Sequence, residues 1–324
     1  MTRVALVGLG RIGRVHLDSL SSLRGVEVVG AFDPIVSIEE LRAFASLDEL
    51  LASECDAVLI STPSNLHAPG CEAALAAGKH VFVEKPLAGT LADGKRIIRA
   101  AAKCPDRVVQ IGFCERFNPA FIEAHRAVAG GQIGAIRGAN SLRVAPYRLG
   151  DPSWELGVLD TATHNFDLLL WLFGALPVSV LAQGARLYDA PPDPTFVTTT
   201  LRFPGGALAQ DGVVWLRDEG HPLGACARPR FSLWGERGAV DVDLSSRATS
   251  VLGAGSFTQP DTVLIGANEY FGALKAQLEG FVGAVEGGPR VGCTPEEALG
   301  AERVALAATR SLREGRAVAL EEIA

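Results

Sequence analysis

From its first residues the chain alternates short, wholly apolar runs with longer amphipathic ones. VALVG leads to RIGRVHLDSLSSL, then VEVVGAF; SLDELLAS precedes DAVLIST, APGCEAALAAG precedes HVFVEKP, and LADGKRIIRAAAK precedes RVVQIGF. A run that is apolar at every position belongs to a strand buried on both faces, and the amphipathic segments between such strands supply the covering helices. The pattern predicts an α/β fold, a doubly wound parallel sheet over residues 1–116. Beyond residue 117 the pattern changes. A helix, PAFIEAHRAVAGG, leads to the strand-like AIRGANSLRVA and a helix over 158–173, followed by VSVLAQGARLY, TFVTTTLRF, ALAQDGVVWLR and RPRFSLWGERGAVDVDL with punctuation such as PGG and ERGA. Residues 117–324 therefore read as an α+β domain with a mostly antiparallel sheet, closed by helices around 268–285 and 295–315.

The first strand-to-helix turn carries Gly8-Leu9-Gly10-Arg11-Ile12-Gly13, a G-x-G-x-x-G pattern, and the second strand ends in Asp33, twenty residues past Gly13. In that setting the glycines permit a tight turn and close backbone approach, and the helix start at Arg11 and Ile12 can hold a pyrophosphate. Asp33 would accept from the adenosine ribose hydroxyls. The following PIVSIEE has no Arg or Lys for a 2′-phosphate, which favours NAD over NADP. Only a turn or two of helix, SIEELRAF, fits between Asp33 and the next helix.

Five lysines stand against 25 arginines, and one of them, Lys85, directly follows an apolar strand between Glu84 and Pro86. In open α/β sheets ligands collect beyond such strand ends. A lysine there is either a solvated residue paired with Glu84 or a group that binds a substrate hydroxyl and shares in proton transfer. Within 158–173, Asp160, His164, Asp167 and Trp171 fall on one helical face of an otherwise apolar segment. A buried helix with a narrow polar stripe needs a polar surface to face. Asp160, one turn before His164, would orient the imidazole as an acid/base; a solvated i, i+4 pair is the plainer alternative.

Net charge is −7 with no run of like charge, which argues against nucleic acid or an anionic membrane as partner and for a small molecule. Six scattered cysteines lack C-x-x-C spacing, so neither a disulfide framework nor a metal site is indicated. No apolar stretch reaches the ~18 residues of a membrane span, and the start has no cleavable signal pattern; a cytoplasmic protein is expected.

Taken together, G-x-G-x-x-G at 8–13, STPSNLHA at 61–68, EKP at 84–86, GFCERFNPA at 112–120 and DTATHNFD at 160–167 resemble, in this order, the glucose-fructose oxidoreductase / inositol dehydrogenase / rhizopine catabolism (Gfo/Idh/MocA) family. The closing CTPEEALGAERVALAATRSLREGRAVAL looks like that family's C-terminal pattern. The resemblance implies a Rossmann domain, a second domain whose open sheet forms a homodimer or homotetramer, and NAD(P)-dependent oxidation of a sugar or cyclitol hydroxyl, or the reverse. It makes Lys85 the lysine near the nicotinamide and Asp160 with His164 the acid/base pair, and it places Thr62, Pro63, Asn65, His67 and Glu84 at the cofactor. His67 could instead be only a helix-start residue. ERFNPA looks most like the branch acting on UDP-N-acetylglucosamine; Arg116, Arg143, Tyr147 and Arg148 would then meet a diphosphate or sugar, or Arg116 would serve as an ion-pair partner. The competing class is a non-catalytic dinucleotide-binding redox sensor or assembly protein, since a fold alone does not prove chemistry.

Overall fold

Strands with no polar face are satisfied only inside a covered sheet, and the N-terminal part of the chain builds one. The computed structural model describes residues 1–146, 158–187, 194–216, 229–244, 248–253, 256–258 and 269–323. Strand β1 (Thr2–Val7) leads through α1 (Arg11–Ser21) to β2 (Val26–Phe32); α2 (Leu47–Leu51) precedes β3 (Ala57–Ile60), α3 (His67–Ala76) precedes β4 (His80–Val83), and α4 (Leu91–Lys103) precedes β5 (Val109–Ile111). All five strands are parallel, in the order β2-β1-β3-β4-β5. The chain leaves β1 toward β2 and returns on the other side at β3. The crevice beyond the C-terminal ends of β1 and β3 is thus the switch point where ligands of such sheets bind.

The segment after Asp33 corrects the expectation of a short helix. It is irregular, and residues 42–44 lie along the sheet edge: Ala31 N–H donates to Arg42 O (2.8 Å), Phe44 N–H donates to Ala31 O (2.9 Å), and Ala31 and Ala43 form a parallel bridge. Two local causes are visible. Asp33 Oδ1 accepts from the amides of Ile35 and Val36, both at 2.9 Å, which turns the chain at once. Gly30 holds φ +145°, and a Cβ there would stand 2.6 Å from Arg42 O, so only glycine lets the edge segment approach.

The later elements are α5 (Pro119–Ala129), β6 (Ile136–Pro146), α6 (Val158–Phe173), β7 (Ser179–Ala185), β8 (Phe196–Arg202), β9 (Leu208–Leu216), β10 (Arg230–Gly235), β11 (Ala239–Asp243), β12 (Ala248–Gly253), β13 (Ser256–Thr258), α7 (Glu269–Val285), α8 (Pro295–Glu314) and β14 (Val318–Ala319). Nine of these strands form a second sheet, β13-β12-β11-β10-β6-β9-β8-β7-β14, antiparallel except for the β6–β9 pair. The mostly antiparallel character read from the sequence is therefore present.

By its contacts the chain divides into two compact units, residues 1–117 with 268–299, and 118–267 with 300–324. Helix α7, counted with the second domain from the sequence, belongs to the first. Its Leu278, Phe281 and Val282 join Val4, Leu6, Leu20 and Phe82 in one buried cluster, with the Phe82 and Phe281 rings 5.7 Å apart edge to face. Sequence proximity to α8 concealed this return; the apolar face of α7 finds its partner far back along the chain.

In the second unit, α6 is tied to the sheet by buried polar side chains. Arg143 Nε donates to Asn165 Oδ1 (2.7 Å); Asn165 Nδ2 (2.7 Å) and Ser141 Oγ (2.6 Å) donate to Asp211 Oδ1. A second tie runs from Trp215 Nε1 to Thr161 Oγ1 at 2.8 Å. Burial pushes the Asp211 carboxyl up to about 6, against the opposing pull of the Ser141 and Asn165 hydrogen bonds and the Arg143 charge. Because its folded pKa lies above the unfolded value, the stabilisation linked to its proton is fully present below about pH 4 and is lost as pH rises through about 6. Asparagine at this position mimics the protonated side chain and removes that dependence. Measured by urea unfolding at a series of pH values, the stability of the parent relative to Asp211→Asn should fall by roughly 2 to 3 kcal/mol between pH 4 and 7; a constant difference would show that Asp211 does not titrate in this window.

Candidate active site

The glycine loop is shaped by contacts that exclude side chains. Gly8 has φ +96°, and a Cβ there would meet the backbone of Ser61 at 2.8 Å; a Cβ on Gly13 would stand 2.3 Å from Gly8 O. These two glycines let α1 press against the ends of β1 and β3. Gly10 differs, because a Cβ there would meet nothing within 4 Å. The helix also begins without a side-chain cap or an acidic residue in its first turn, whereas Ser46, Thr90 and Asn118 cap α2, α4 and α5. The amides of Arg11, Ile12 and Gly13 head α1, and the first helix-type bond there is Arg14 N–H to Gly10 O. Open space, amides without a helix-type bond among the described residues and the positive helix end together suit an anion such as pyrophosphate. Arg11 is exposed, while the Ile12 side chain packs against Cys114, Ala273 and Leu274, so Ile12 can offer a ligand its backbone only.

Asp33 stands beside this loop, its Oδ2 accepting from Leu9 N–H at 2.7 Å. Burial by itself would raise its pKa, but the amides of Leu9, Ile35 and Val36 outweigh that and hold it below the ordinary carboxylate range. An ionised carboxylate at this strand end accepts from ribose hydroxyls and repels a 2′-phosphate. The residues present thus fit NAD.

Beyond β3 and β4 the candidate residues separate into exposed and buried groups. Pro63 and Asn65 are exposed in the short turn before α3, and Thr62 Oγ1 is buried without a hydrogen-bond partner among the described residues. The side chains of His67 and Glu84, both expected at the cofactor, are engaged within the protein. The His67 ring is 1% exposed; Nδ1 lies 2.9 Å from Pro86 O and Nε2 2.9 Å from Thr62 O. Burial lowers its pKa, and the facing carbonyls of Thr62, Pro86 and Leu87 offset only part of that. In the tautomer with the proton on Nδ1, the ring donates to Pro86 O and ties the start of α3 to the turn after Lys85. The Glu84 carboxylate, 8% exposed, is also turned inward: Oε1 is 2.7 Å from His16 Nε2, and Oε2 accepts from Lys85 N–H at 3.0 Å. Lys85 itself is half-buried at the strand end and is followed by a cis peptide bond to Pro86.

In the second unit Asp160 and His164 lie one turn apart on α6, both half-buried. Thr161 and Asn165, each the next residue, bind the sheet side chains described above, which sets the rotation of the helix and leaves Asp160 and His164 on its less buried side. Asp167, expected on the same stripe, is buried, and Trp171 stacks on His125 with ring centroids 4.0 Å apart. Arg116 is 6% exposed and pairs with Glu297, Nη1 to Oε1 3.0 Å; Arg143 is held by Asn165. Tyr147 and Arg148 lie outside the described residues.

Sequence reasoning missed His16, Asn165 and Asp211. A signal existed for His16, a polar ring on the Leu20 side of an amphipathic helix; Asp211, inside a strand-like run, betrays its partners only once the strands are aligned.

Comparison with known proteins agrees with this geometry. The family model described as oxidoreductase family, NAD-binding Rossmann fold, matches residues 2–113, and that of the GFO/IDH/MocA C-terminal domain matches residues 121–241. Among curated relatives, the myo-inositol 2-dehydrogenase of Thermotoga maritima is 30% identical over 340 residues, covering 99% of both chains. The inositol 2-dehydrogenase of Rhizobium meliloti (strain 1021) is 28% identical over 342 residues, covering 98% of this chain and 99% of that one. Among solved structures, UDP-N-acetylglucosamine 3-dehydrogenase GnnA from Acidithiobacillus ferrooxidans superposes with a TM-score of 0.80 at 25% identity, covering 97% of this chain and 98% of that one. With the glycine loop, the parallel sheet that carries it and both family models in agreement, the chain belongs to the Gfo/Idh/MocA family of NAD-binding oxidoreductases.

Proposed function

We propose that this protein is an NAD-dependent dehydrogenase that oxidises a secondary hydroxyl of a cyclitol or related sugar, or reduces the corresponding ketone. The observation that carries the reading is the C-terminal edge of the parallel sheet, where an uncapped helix start, an ionised Asp33 and Lys85 stand beyond the ends of β1, β2 and β4 respectively. When bound, NAD supplies the hydride acceptor. The chain supplies the rest: Lys85 hydrogen-bonds the reacting oxygen and favours its anionic form, His164 takes the hydroxyl proton, and Asp160 one turn earlier steadies the imidazolium. The two full-length relatives named above are inositol dehydrogenases, which favours a cyclitol. A nucleotide-linked substrate is less favoured, because Arg116 and Arg143, two of the side chains expected to meet a diphosphate, are buried and held by Glu297 and Asn165. The non-catalytic alternative loses ground for the same reason that the enzyme gains it, since the chemistry-bearing residues and the dehydrogenase relatives occur together. We read the outward face of the nine-stranded sheet, which alternates exposed residues such as Thr198, Gln210 and Trp234 with buried ones, as the surface of a homodimer or homotetramer.

With myo-inositol and NAD, turnover should appear as NADH absorbance, and a panel of other inositols and hexoses locates the preferred substrate. Lys85→Met and His164→Ala should each lower kcat/KM by about 100-fold or more while leaving NAD affinity within about fivefold, the double variant being little worse than the poorer single. Retention of parental turnover by either variant would remove its role. Asp33→Asn should weaken NAD binding by about tenfold, near 1.4 kcal/mol, and narrow the preference for NAD over NADP; calorimetric titration of both nucleotides measures this, and an unchanged ratio would exclude Asp33 as the discriminator.

A further inference from the structure

A buried polar pair links the helix of the glycine loop to the candidate lysine. His16, in the second turn of α1, is fully buried with its ring edge on Phe82, centroids 5.4 Å apart, and its Nε2 lies 2.7 Å from Glu84 Oε1. Its Nδ1 has no partner among the described residues. The carboxylate spends its other oxygen on the Lys85 amide, at 3.0 Å. Just past β5, a Cβ on Gly112 would come within 2.9 Å of Glu84 Oε1, so that position keeps the space the carboxylate occupies.

The pair is an expensive way to fill a core. Removing a carboxylate and an imidazole from water costs several kcal/mol unless their hydrogen bonds are good, and an apolar pair of similar volume would pack there without leaving a polar atom unmatched. What the polar pair adds is an acceptor for one particular amide. β4 pairs with its neighbours through Val83, and Glu84 N–H still reaches Ile60 O. Lys85 N–H is the first beyond the ladder, and the side chain of the preceding residue receives it.

We infer that His16 is a positioning residue for Lys85, acting through Glu84 to tie the helix that opens at the glycine loop to the backbone of the lysine. The inference rests on the reading of Lys85 as the group that meets the reacting oxygen. Restraint of the Lys85 backbone from one side by Glu84, and of the following turn by His67, narrows the directions its side chain can take.

The test needs no substrate. The protein is labelled sparingly with acetic anhydride at one pH, and acetylation of Lys85 is read by mass spectrometry relative to the exposed Lys95 and Lys103, with and without NAD. A hydrogen bond of ordinary net strength corresponds to a change of about 3- to 10-fold. His16→Leu should change the relative labelling of Lys85 by that factor, and His16→Gln, which keeps a donor, should restore it to within about twofold. Glu84→Leu and Glu84→Gln form a second such pair and decide the matter if His16→Leu does not fold. NAD affinity should stay within about threefold in all variants, and in turnover kcat should fall about tenfold or more with the KM for NAD little changed. Equal behaviour of the Leu and Gln variants, an unaltered Lys85, or a parallel rise at every lysine would overturn the inference. Full turnover by Lys85→Met would instead sink the catalytic reading while leaving the labelling contrast to judge the positioning, so the two failures are distinguishable.

Discussion

The approach of Gly13 to the Gly8 carbonyl is the constraint on which the first unit depends. A side chain at either position would drive α1 away from the ends of β1 and β3, since a Cβ on Gly13 would stand 2.3 Å from the Gly8 carbonyl oxygen. With α1 seated, its first amides arrive at the switch point of the sheet, His16 in its second turn reaches Glu84, and Leu20 enters the core with Val4 and Phe82. A parallel sheet buried on both faces can present polar chemistry only where its strands end. The glycines decide how closely that edge is gathered.

Around the edge, the polar side chains divide their work by burial. Asp33, Thr62, Pro63, Asn65 and Lys85 retain some exposure, while His16, His67 and Glu84 are sealed inside and spend their hydrogen bonds on the backbone or on one another. The sealed residues give the turns after β3 and β4 defined positions without relying on the strand ladder, which has stopped by then. In the second unit Asn165 and Thr161 anchor one side of α6 to Asp211 and Trp215, and Asp160 and His164 occupy the less buried side. In both units a candidate reacting group follows or precedes in sequence the residue that holds it: Lys85 after Glu84, His164 before Asn165. Adjacent positions on a strand end or a helix point in different directions, so one can grip the scaffold while its neighbour stays available.

Much of this was legible in the amino-acid sequence. Uniformly apolar runs between amphipathic ones announced the parallel sheet because period and burial are local properties. The glycine loop and Asp33 were readable because their spacing reports a strand, a turn and a helix in order, and Lys85 stood out by position and by the rarity of lysine. Two readings changed with the structure. The segment after Asp33 follows the sheet edge where a helical pattern had been seen, since Gly30 allows Arg42 to approach and Asp33 turns the chain. Helix α7 packs on the first unit, a partnership across most of the sequence that periodicity does not encode. The side chains of His67 and Glu84 take partners inside the first unit that the sequence does not announce.

What the sequence determined by itself, then, was the class of fold, the dinucleotide loop and the inventory of chemical groups, all carried by residues close together along the chain. What only the tertiary structure decided was which polar groups are spent internally: Arg116 on Glu297, Arg143 on Asn165, Glu84 on His16. The physical reason is that burial and hydrogen-bond partnership depend on residues tens to hundreds of positions away, whose approach is set by packing.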